Sequence, residues 1–375
     1  MHPQILIDYI KTHSIADLSA AKKIDVKVHK DYPNLIMLKY RQIEADFHDP
    51  IVRLCRGIIL DSRDDWRVVN YTYSKFGNYG EGYADKIDLS STRFYEKVDG
   101  SLIQMYWFNN QWNVATSGTP DAGGNVGDFG FTFKELFWKV WNELGCRLPD
   151  NTDCCYAFEL CTKFNKVVIH HEKDCIILHG GRNLKTFKEL NPIIEANNYK
   201  WECVKTFPFD SFEAMLEAAK SINGLEQEGF VACDDKYNRI KLKAASYVHL
   251  AHLKDSCGAS KRQMLEIIRN NESEEFLAYF PEFKDIFFDI KVKFEHLVGQ
   301  IEGFYEAIKD IDDRKSFALK ATTQKFSGLL FAMKFGNRDG QLSSFHRGLS
   351  QVHIKLLETW LGIKNEDKKC DDEHI

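Results

Sequence analysis

The feature that most constrains the fold is a change of texture near residue 247. From about 24 to 245, short β-type runs alternate with turn residues, as in NLIMLKY (34–40), RGIILDS (56–62), WRVVNYTY (66–73), SLIQMYW (101–107), QWNVATSG (111–118), YAFELCT (156–162), KVVIH (166–170), CIILHGG (175–181), GFVACD (229–234) and NRIKLKA (238–244). Residues 1–22 read as a helical segment, and two further helices are expected within the β-rich part: 131–145, and the SFEAMLEAAKSING stretch ending at Gly224. In both, a glycine stands where a C-cap would end the pattern. After 247 the runs KRQMLEIIRN, EEFLAYF, FKDIFFDIKVKFEHLVGQIEGFYEAIKDI, RKSFALKATTQKFSGLLFAMKFG and SSFHRGLSQVHIKLLETWLGI place apolar residues three or four apart, the period of packed helices. Many strands with few helices, followed by helices alone, predict an α+β domain of antiparallel sheets and then an all-helical domain.

At 375 residues the chain exceeds the size one core usually reaches. The expected division is 1–247, then 258–365, with 366–375 (EDKKCDDEHI) as a disordered tail. Hydrophobic residues at 44% and charged residues at 28% describe a globular protein. Fifty basic residues against 55 acidic give a formal charge of −5, so a site for a polyanion has to be a local patch. The ten cysteines lack the paired short spacing of a zinc site and mostly sit in apolar runs, which points to reduced core thiols in a cytosolic protein. The N-terminal MHPQILIDYIKTHS is too briefly apolar for a signal peptide, with Asp8 inside it. No stretch approaches the roughly 20 apolar residues of a membrane helix. The expected location is the cytoplasm.

Four sets of residues suit phosphate chemistry. The first is Lys97 in FYEKVDGSLIQMYW, followed by Asp99 and Gly100 and then an apolar strand. A lysine side chain titrates near 10.4, so only about 0.1% or less is neutral at pH 7, and a nucleophilic lysine needs cationic neighbours or desolvation. Gly100 permits close backbone approach. Alone, KVDG reads as an ordinary turn. The second is RIKLK, where Lys241 and Lys243 fall on one strand face. Two ammonium groups so close repel unless an anion such as a triphosphate covers them. Thirteen residues earlier, Glu228–Gly229 opens the preceding strand, and a carboxylate opposite two lysines suits a magnesium-bound polyphosphate. Third is Glu159, a lone acid between Phe158 and Leu160, which requires a partner or ligand if buried. Fourth are Arg56, opening RGIIL, and Lys75 in SKFGNYGEG, a fork and a point charge for phosphate. GGNVGDFG (123–130) lacks the Lys-Ser/Thr of a phosphate loop and reads as a loop. His170 and His171, on an expected strand, would point to opposite faces and share no ion.

The order of these elements carries more than any one of them. CRGIIL, SKFGN, EKVDGSL, FELCTKFNKVV, EGFVA and KLKAASYVHL together resemble the covalent nucleotidyltransferase superfamily of polynucleotide ligases and mRNA capping enzymes. The resemblance is nearest to the phage-type ATP-dependent RNA ligases of the tRNA-repair class. It covers about residues 50–250 and is loose over the helical part. It implies an ATP-grasp-like ligase domain of antiparallel sheets with flanking helices. Ligases for DNA and capping enzymes usually append a β-barrel where this chain has helices, and a helical addition suits recognition of RNA by shape.

Carried over by position, the resemblance makes Lys97 the nucleophile that attacks the α-phosphate of ATP to give a lysyl–AMP. Glu159 would hold the ribose and Glu228 the metal, Mg2+ with Mn2+ as substitute. Lys241 and Lys243 would contact the α-phosphate and favour the free amine at Lys97. Arg56, Lys75 and Tyr247 would contact the β- and γ-phosphates, with Gly100 close to the nucleotide. AMP would pass to an RNA 5′-phosphate, and a 3′-hydroxyl would displace it. The implied partner is RNA with such ends, a broken tRNA for example, with an end-healing kinase/phosphatase as a further partner; no membrane is implied. Relatives tend to carry a basic residue where ATSGTP has Ser117, a departure that bears on substrate contacts and not on the first step. The intact lysine, glutamate and Lys-x-Lys positions argue against a non-catalytic binding module.

Overall fold

Ser14 divides the N-terminal amphipathic segment into α1 (Gln4–His13) and α2 (Ile15–Lys22), its hydroxyl accepting the Asp17 N–H at 3.2 Å. The computed structural model describes residues 1–244, 261–279, 281–335, 349 and 352–363. Both helices cover a four-stranded antiparallel sheet of β1 (Ile24–Val28), β2 (Leu35–Tyr40), β3 (Arg56–Asp61) and β4 (Arg67–Asn70). The run at 66–73 expected as one strand is shortened to Arg67–Asn70. Between β2 and β3 lies a short helix, α3 (Pro50–Leu54), which the sequence reading did not include. Its start is an Asp-Pro pair, with the Asp49 carboxylate accepting the Ile51 N–H at 2.8 Å and Pro50 losing nothing at the first turn.

The chain then lays down β5 (Gly77–Asn78), β6 (Arg93–Lys97) and the hairpin β7 (Ser101–Phe108)–β8 (Gln111–Thr116). After α4 (Phe133–Glu143) come β9 (Cys154–Cys161), β10 (Cys175–Asn183) and β11 (Glu189–Leu190). Next are α5 (Pro192–Tyr199), β12 (Glu202–Cys203), β13 (Thr206–Phe207), α6 (Phe212–Ser221), β14 (Gly229–Cys233) and β15 (Arg239–Lys243). A six-stranded sheet runs β11-β10-β9-β7-β8 with β12 beside β10, and a five-stranded sheet runs β13-β6-β14-β15-β5. Pairing is antiparallel except for β10 with β12 and β15 with β5. The antiparallel sheets expected of the domain are thus three, with two parallel pairings among them.

Alternation along β3 explains its unbroken apolar run. Ile58 and Leu60 face the N-terminal helices, whereas Ile59 joins Met37 and Val69 against Tyr106, Ala115 and Cys155 of the six-stranded sheet. A sheet covered on both faces needs no polar side. The other face of that second sheet sends Ile103, Met105, Tyr156, Phe158 and Leu178 against Phe137, Val140 and Trp141 of α4 and Trp201. A capping box between Thr132 and Glu135 opens α4, and Gly145 (φ +65°) follows its end as expected. Gly224 has no such role, because α6 ends at Ser221 and Ile222 is already extended. α5 was also not foreseen; Asn191 caps it ahead of Pro192, by the same rule as α3.

The largest correction concerns KVVIH. Residues 166–170 form no strand. The buried Asp99 carboxylate accepts the Val168 and Ile169 N–H groups at 2.9 and 2.7 Å. A charged acceptor within reach satisfies these donors without a strand ladder. GGNVGDFG is a loop, with an isolated bridge between Asn125 and Thr132 at its edge.

The chain divides into two compact units, Met1–Ala251 and His252–Ile375. In the second, the described residues contain α7 (Lys261–Arg269), α8 (Ser273–Tyr279), α9 (Lys284–Ile308), α10 (Arg314–Ala321), α11 (Ser327–Phe335) and α12 (Ile354–Leu361). On α9, Phe287, Ile290, Phe294, Leu297, Ile301 and Ile308 form one buried stripe. The segment 314–336, expected as one helix, is two. Thr322 and Thr323 lie at the break and bond back to Ala318 O and Lys320 O, at 2.7 Å each. Arg262 clasps Glu358 of α12 through two bonds of 2.9 Å. Tyr247, the segment between the expected domains and the tail 366–375 lie outside the described residues. Among the described residues no helix is long and apolar enough to cross a membrane.

Gly229 (φ +151°) is where the β14–β15 hairpin is tightest: a Cβ there would stand 2.1 Å from Leu242 O and 2.7 Å from the Lys243 Cα. Gly229→Ala is expected to lower unfolding stability by about 2 kcal/mol or more. Denaturant titration checks this; an unchanged midpoint would contradict the crowding.

Candidate active site

The five-stranded sheet supplies a floor whose chemistry follows from its register. Lys97 pairs with Gly229 and Gly229 with Lys243; one step on, Tyr95 pairs with Val231 and Val231 with Lys241. Side chains alternate along a strand, so Arg93, Tyr95 and Lys97 of β6 share a face with Arg239, Lys241 and Lys243 of β15. Val231 and Cys233 lie between them. A cleft over this face is lined by Tyr95, Lys97, Val231, Arg239 and Lys241 from the floor, and by Arg56, Lys75, Glu159 and His179 from other elements. The structure therefore brings Arg56, Lys75, Lys97, Glu159 and Lys241 to one cleft. Lys243 and Glu228 stand at its end, beyond the lining.

Glu228 is the residue on which the end of the cleft turns. Its carboxylate lies 2.6 Å from the Lys97 Nζ and is almost fully buried. Burial pushes the Glu228 carboxyl above its ordinary range, against the opposing pull of Lys97 and then Lys243. One buried carboxylate among lysines is an incomplete ligand set for a divalent cation, and it fits an ion whose other ligands are phosphate oxygens and water.

Arg56 opens β3 with its guanidinium over the Phe76 ring at 5.4 Å, and its buried Nη1 makes no hydrogen bond. Lys75 is buried among the rings of Tyr40, Phe47 and Tyr83, with its Nζ 5.0 to 5.8 Å from their centroids. Lys39, paired with Arg56 across β2 and β3, adds a third cation that the sequence reading missed. Burial holds its ammonium below the ordinary lysine value, and Arg56 and Lys75 add to the effect. Such a cluster favours an anion between its members.

Glu159 projects from β9, with His179 Nε2 3.4 Å from its carboxylate. His179 was also not foreseen. It sits at a bulge, where the β9–β10 register slips between Leu178 and Gly180, and a bulge re-aims the side chain it carries. The ring stacks on Tyr73 (5.5 Å, 16°), whose hydroxyl donates to His179 O at 2.7 Å. The Gly-Gly that follows it inside this strand was the available signal.

Two residues of the Lys97 turn, Asp99 and Gly100, make structural contacts of their own. Asp99 anchors the 162–174 connection through the two N–H groups described above. The close approach made by Gly100 is to β9, where a Cβ would meet Leu160 O at 2.7 Å and the Cys161 Sγ at 2.9 Å. Ser117 is not isolated from positive charge: Lys27 Nζ donates to Gly118 O at 2.5 Å. The two histidines are not on a strand, and His171 lies with Cys161 and Cys175 in a cluster separate from the cleft lining.

The Lys97–Glu228 pair predicts a measurable coupling. In a double-mutant cycle of Lys97→Met and Glu228→Gln, the coupling in urea unfolding is expected to be about 1–3 kcal/mol. A value near zero would show that the contact does not persist in solution.

A family model described as RNA ligase matches residues 54–297 of the chain. The chain is 29% identical over 285 residues to a protein of Autographa californica nuclear polyhedrosis virus named as a bifunctional polynucleotide kinase/RNA ligase. That match covers 70% of this chain and 40% of the viral protein, so the chain spans less than half of that relative. Identity to an RNA ligase of Rhodothermus phage RM378 is 25%, over 86% of this chain and 90% of that protein. Among solved structures, an archaeal ATP-dependent RNA ligase shares 13% identity over 84% of this chain and 88% of that chain, at a TM-score of 0.46.

Proposed function

From the chain's membership of the RNA ligase family, which the match over residues 54–297 establishes, we propose that it joins RNA 5′-phosphate and 3′-hydroxyl ends using ATP, with Lys97 as the covalent nucleophile. The observation that carries the assignment is the position of Lys97: it contacts Glu228 at 2.6 Å and shares one sheet face with Lys241 and Lys243.

Attack requires the free amine, so the ion pair with Glu228 opens first. Glu228 is the residue to hold a divalent cation, Mg2+ or Mn2+, which would neutralise phosphate charge when bound. Were that carboxylate to hold the cation, it would no longer pair with Lys97, whose ammonium would give its proton to solvent before attack. The Lys97 nitrogen then bonds to the α-phosphorus of ATP as the bond to pyrophosphate breaks. Lys241 and Lys243 take the charge that builds on the α-phosphate, while Arg56 and Lys75 bind the leaving phosphates; Tyr247 is assigned to the same group by resemblance. Glu159 receives the ribose hydroxyls. An RNA 5′-phosphate oxygen next displaces Lys97, giving a 5′–5′ pyrophosphate link to AMP. A 3′-hydroxyl oxygen attacks that 5′-phosphate, forming the phosphodiester and releasing AMP. Throughout, the protein positions groups and stabilises charge.

The helical unit 258–365 is assigned to RNA recognition, and broken tRNA is the substrate class the resemblance favours. The viral relative named for both kinase and ligase supports an end-healing kinase as a partner. The reaction is placed in the cytoplasm.

Incubation with α-labelled ATP and Mg2+ should leave covalent label on the denatured chain. The label should be absent from Lys97→Ala and reduced at least about 100-fold in Lys243→Ala, whose circular dichroism should match wild type. Unlabelled wild type, or undiminished label in Lys97→Ala, would overturn the nucleophile assignment. Offered 5′-phosphorylated single strands, the enzyme should circularise RNA; dominant joining of DNA would overturn the substrate class.

A further inference from the structure

Cys161 and Cys175 face each other as the last and first residues of β9 and β10. The connection between them returns His171 to the same place, so that one ligand atom from each of the three lies within 4.8 Å of the others. We propose that Cys161, His171 and Cys175 form a Zn2+-type metal site beside the turn that carries Lys97.

The donors suit the ion. Two thiolates and an imidazole select a borderline-soft cation over the oxygen-seeking Mg2+ assigned to Glu228. Ligand atoms in a tetrahedral zinc site lie about 3.5 Å apart, given bond lengths near 2.3 Å to sulfur and 2.0 Å to nitrogen. The 4.8 Å limit on their separation exceeds this by about 1 Å, within reach of a side-chain adjustment. Three protein ligands leave a fourth position for water.

The surroundings are also prepared. His171 Nε2 stands 2.6 Å from Asp99 O, and the Cys161 thiol donates to the same carbonyl at 3.6 Å. The Asp99 carboxylate, through Val168 and Ile169, fixes the connection that delivers His171. Binding would take up the metal and release two protons, one from each thiol, with the imidazole neutral. In sequence the set reads Cys-x9-His-x3-Cys. Occupancy would tie β9, β10 and the turn after Lys97 together. The other described cysteines belong to no such group.

The test is titration of the reduced, chelator-treated full chain with Co2+. One Co2+ per chain is expected, with thiolate charge-transfer and tetrahedral ligand-field bands that Zn2+ abolishes. Affinity should fall at least about 100-fold in Cys175→Ser and in His171→Gln, and should hold in Cys146→Ser. Cys175 and His171 are only half-buried, so these variants should fold; if Cys175→Ser does not, His171→Gln decides. The proposal is overturned if the thiolate band is absent, if both variants bind Co2+ like wild type, or if alkylation and mass spectrometry show Cys161 and Cys175 joined as a disulfide. None of these readouts depends on adenylylation, so the result stands apart from the fate of the ligase assignment.

Discussion

The ion pair between Lys97 and Glu228 is the contact on which the rest of the site depends. It joins the end of β6 to the residue before β14, and its 2.6 Å length requires those strands to be in register. Gly229 makes the register attainable, since any side chain there would collide with β15. The pair also defines the chemical problem: a carboxylate against an ammonium suits a resting enzyme, and a nucleophile requires their separation.

Around that contact the fold is scaffolding with stated tasks. The four- and six-stranded sheets bury each other and are covered on their outer faces by helices. They hold Arg56 and Glu159 on strands, where side-chain positions are set by packing. The five-stranded sheet contributes lysines at alternate positions of one strand. The Lys97 turn is held from behind by Asp99, whose carboxylate accepts the Val168 and Ile169 N–H groups of the connection. The connection also delivers His171 to the proposed metal site, and His171 and Cys161 both bond to the Asp99 carbonyl.

Much of this was legible because strand alternation needs no tertiary information. RIKLK places Lys241 and Lys243 on one face whatever surrounds it, and EGFVACD before it has the length of a hairpin partner. The division of texture near 247 was legible for the same reason, being a change of period. The failures have a common cause: a local pattern met a partner distant in sequence. KVVIH has the composition of a strand, and Asp99, about seventy residues away, takes its donors. His179 depends on a bulge that only the pairing of β9 with β10 creates. The short helices α3 and α5 were within reach, since Asp-Pro and Asn-Pro announce a capped first turn.

The central claim is that Lys97, among three lysines on one face, is the atom that carries AMP. The direct measurement is to digest the protein after reaction with ATP and locate the AMP adduct by peptide mass spectrometry. The account predicts a single adduct, acid-labile as a phosphoramidate, on the peptide containing Lys97. An adduct on Lys241 or Lys243, or a chain that turns over RNA with no adduct at all, would contradict it.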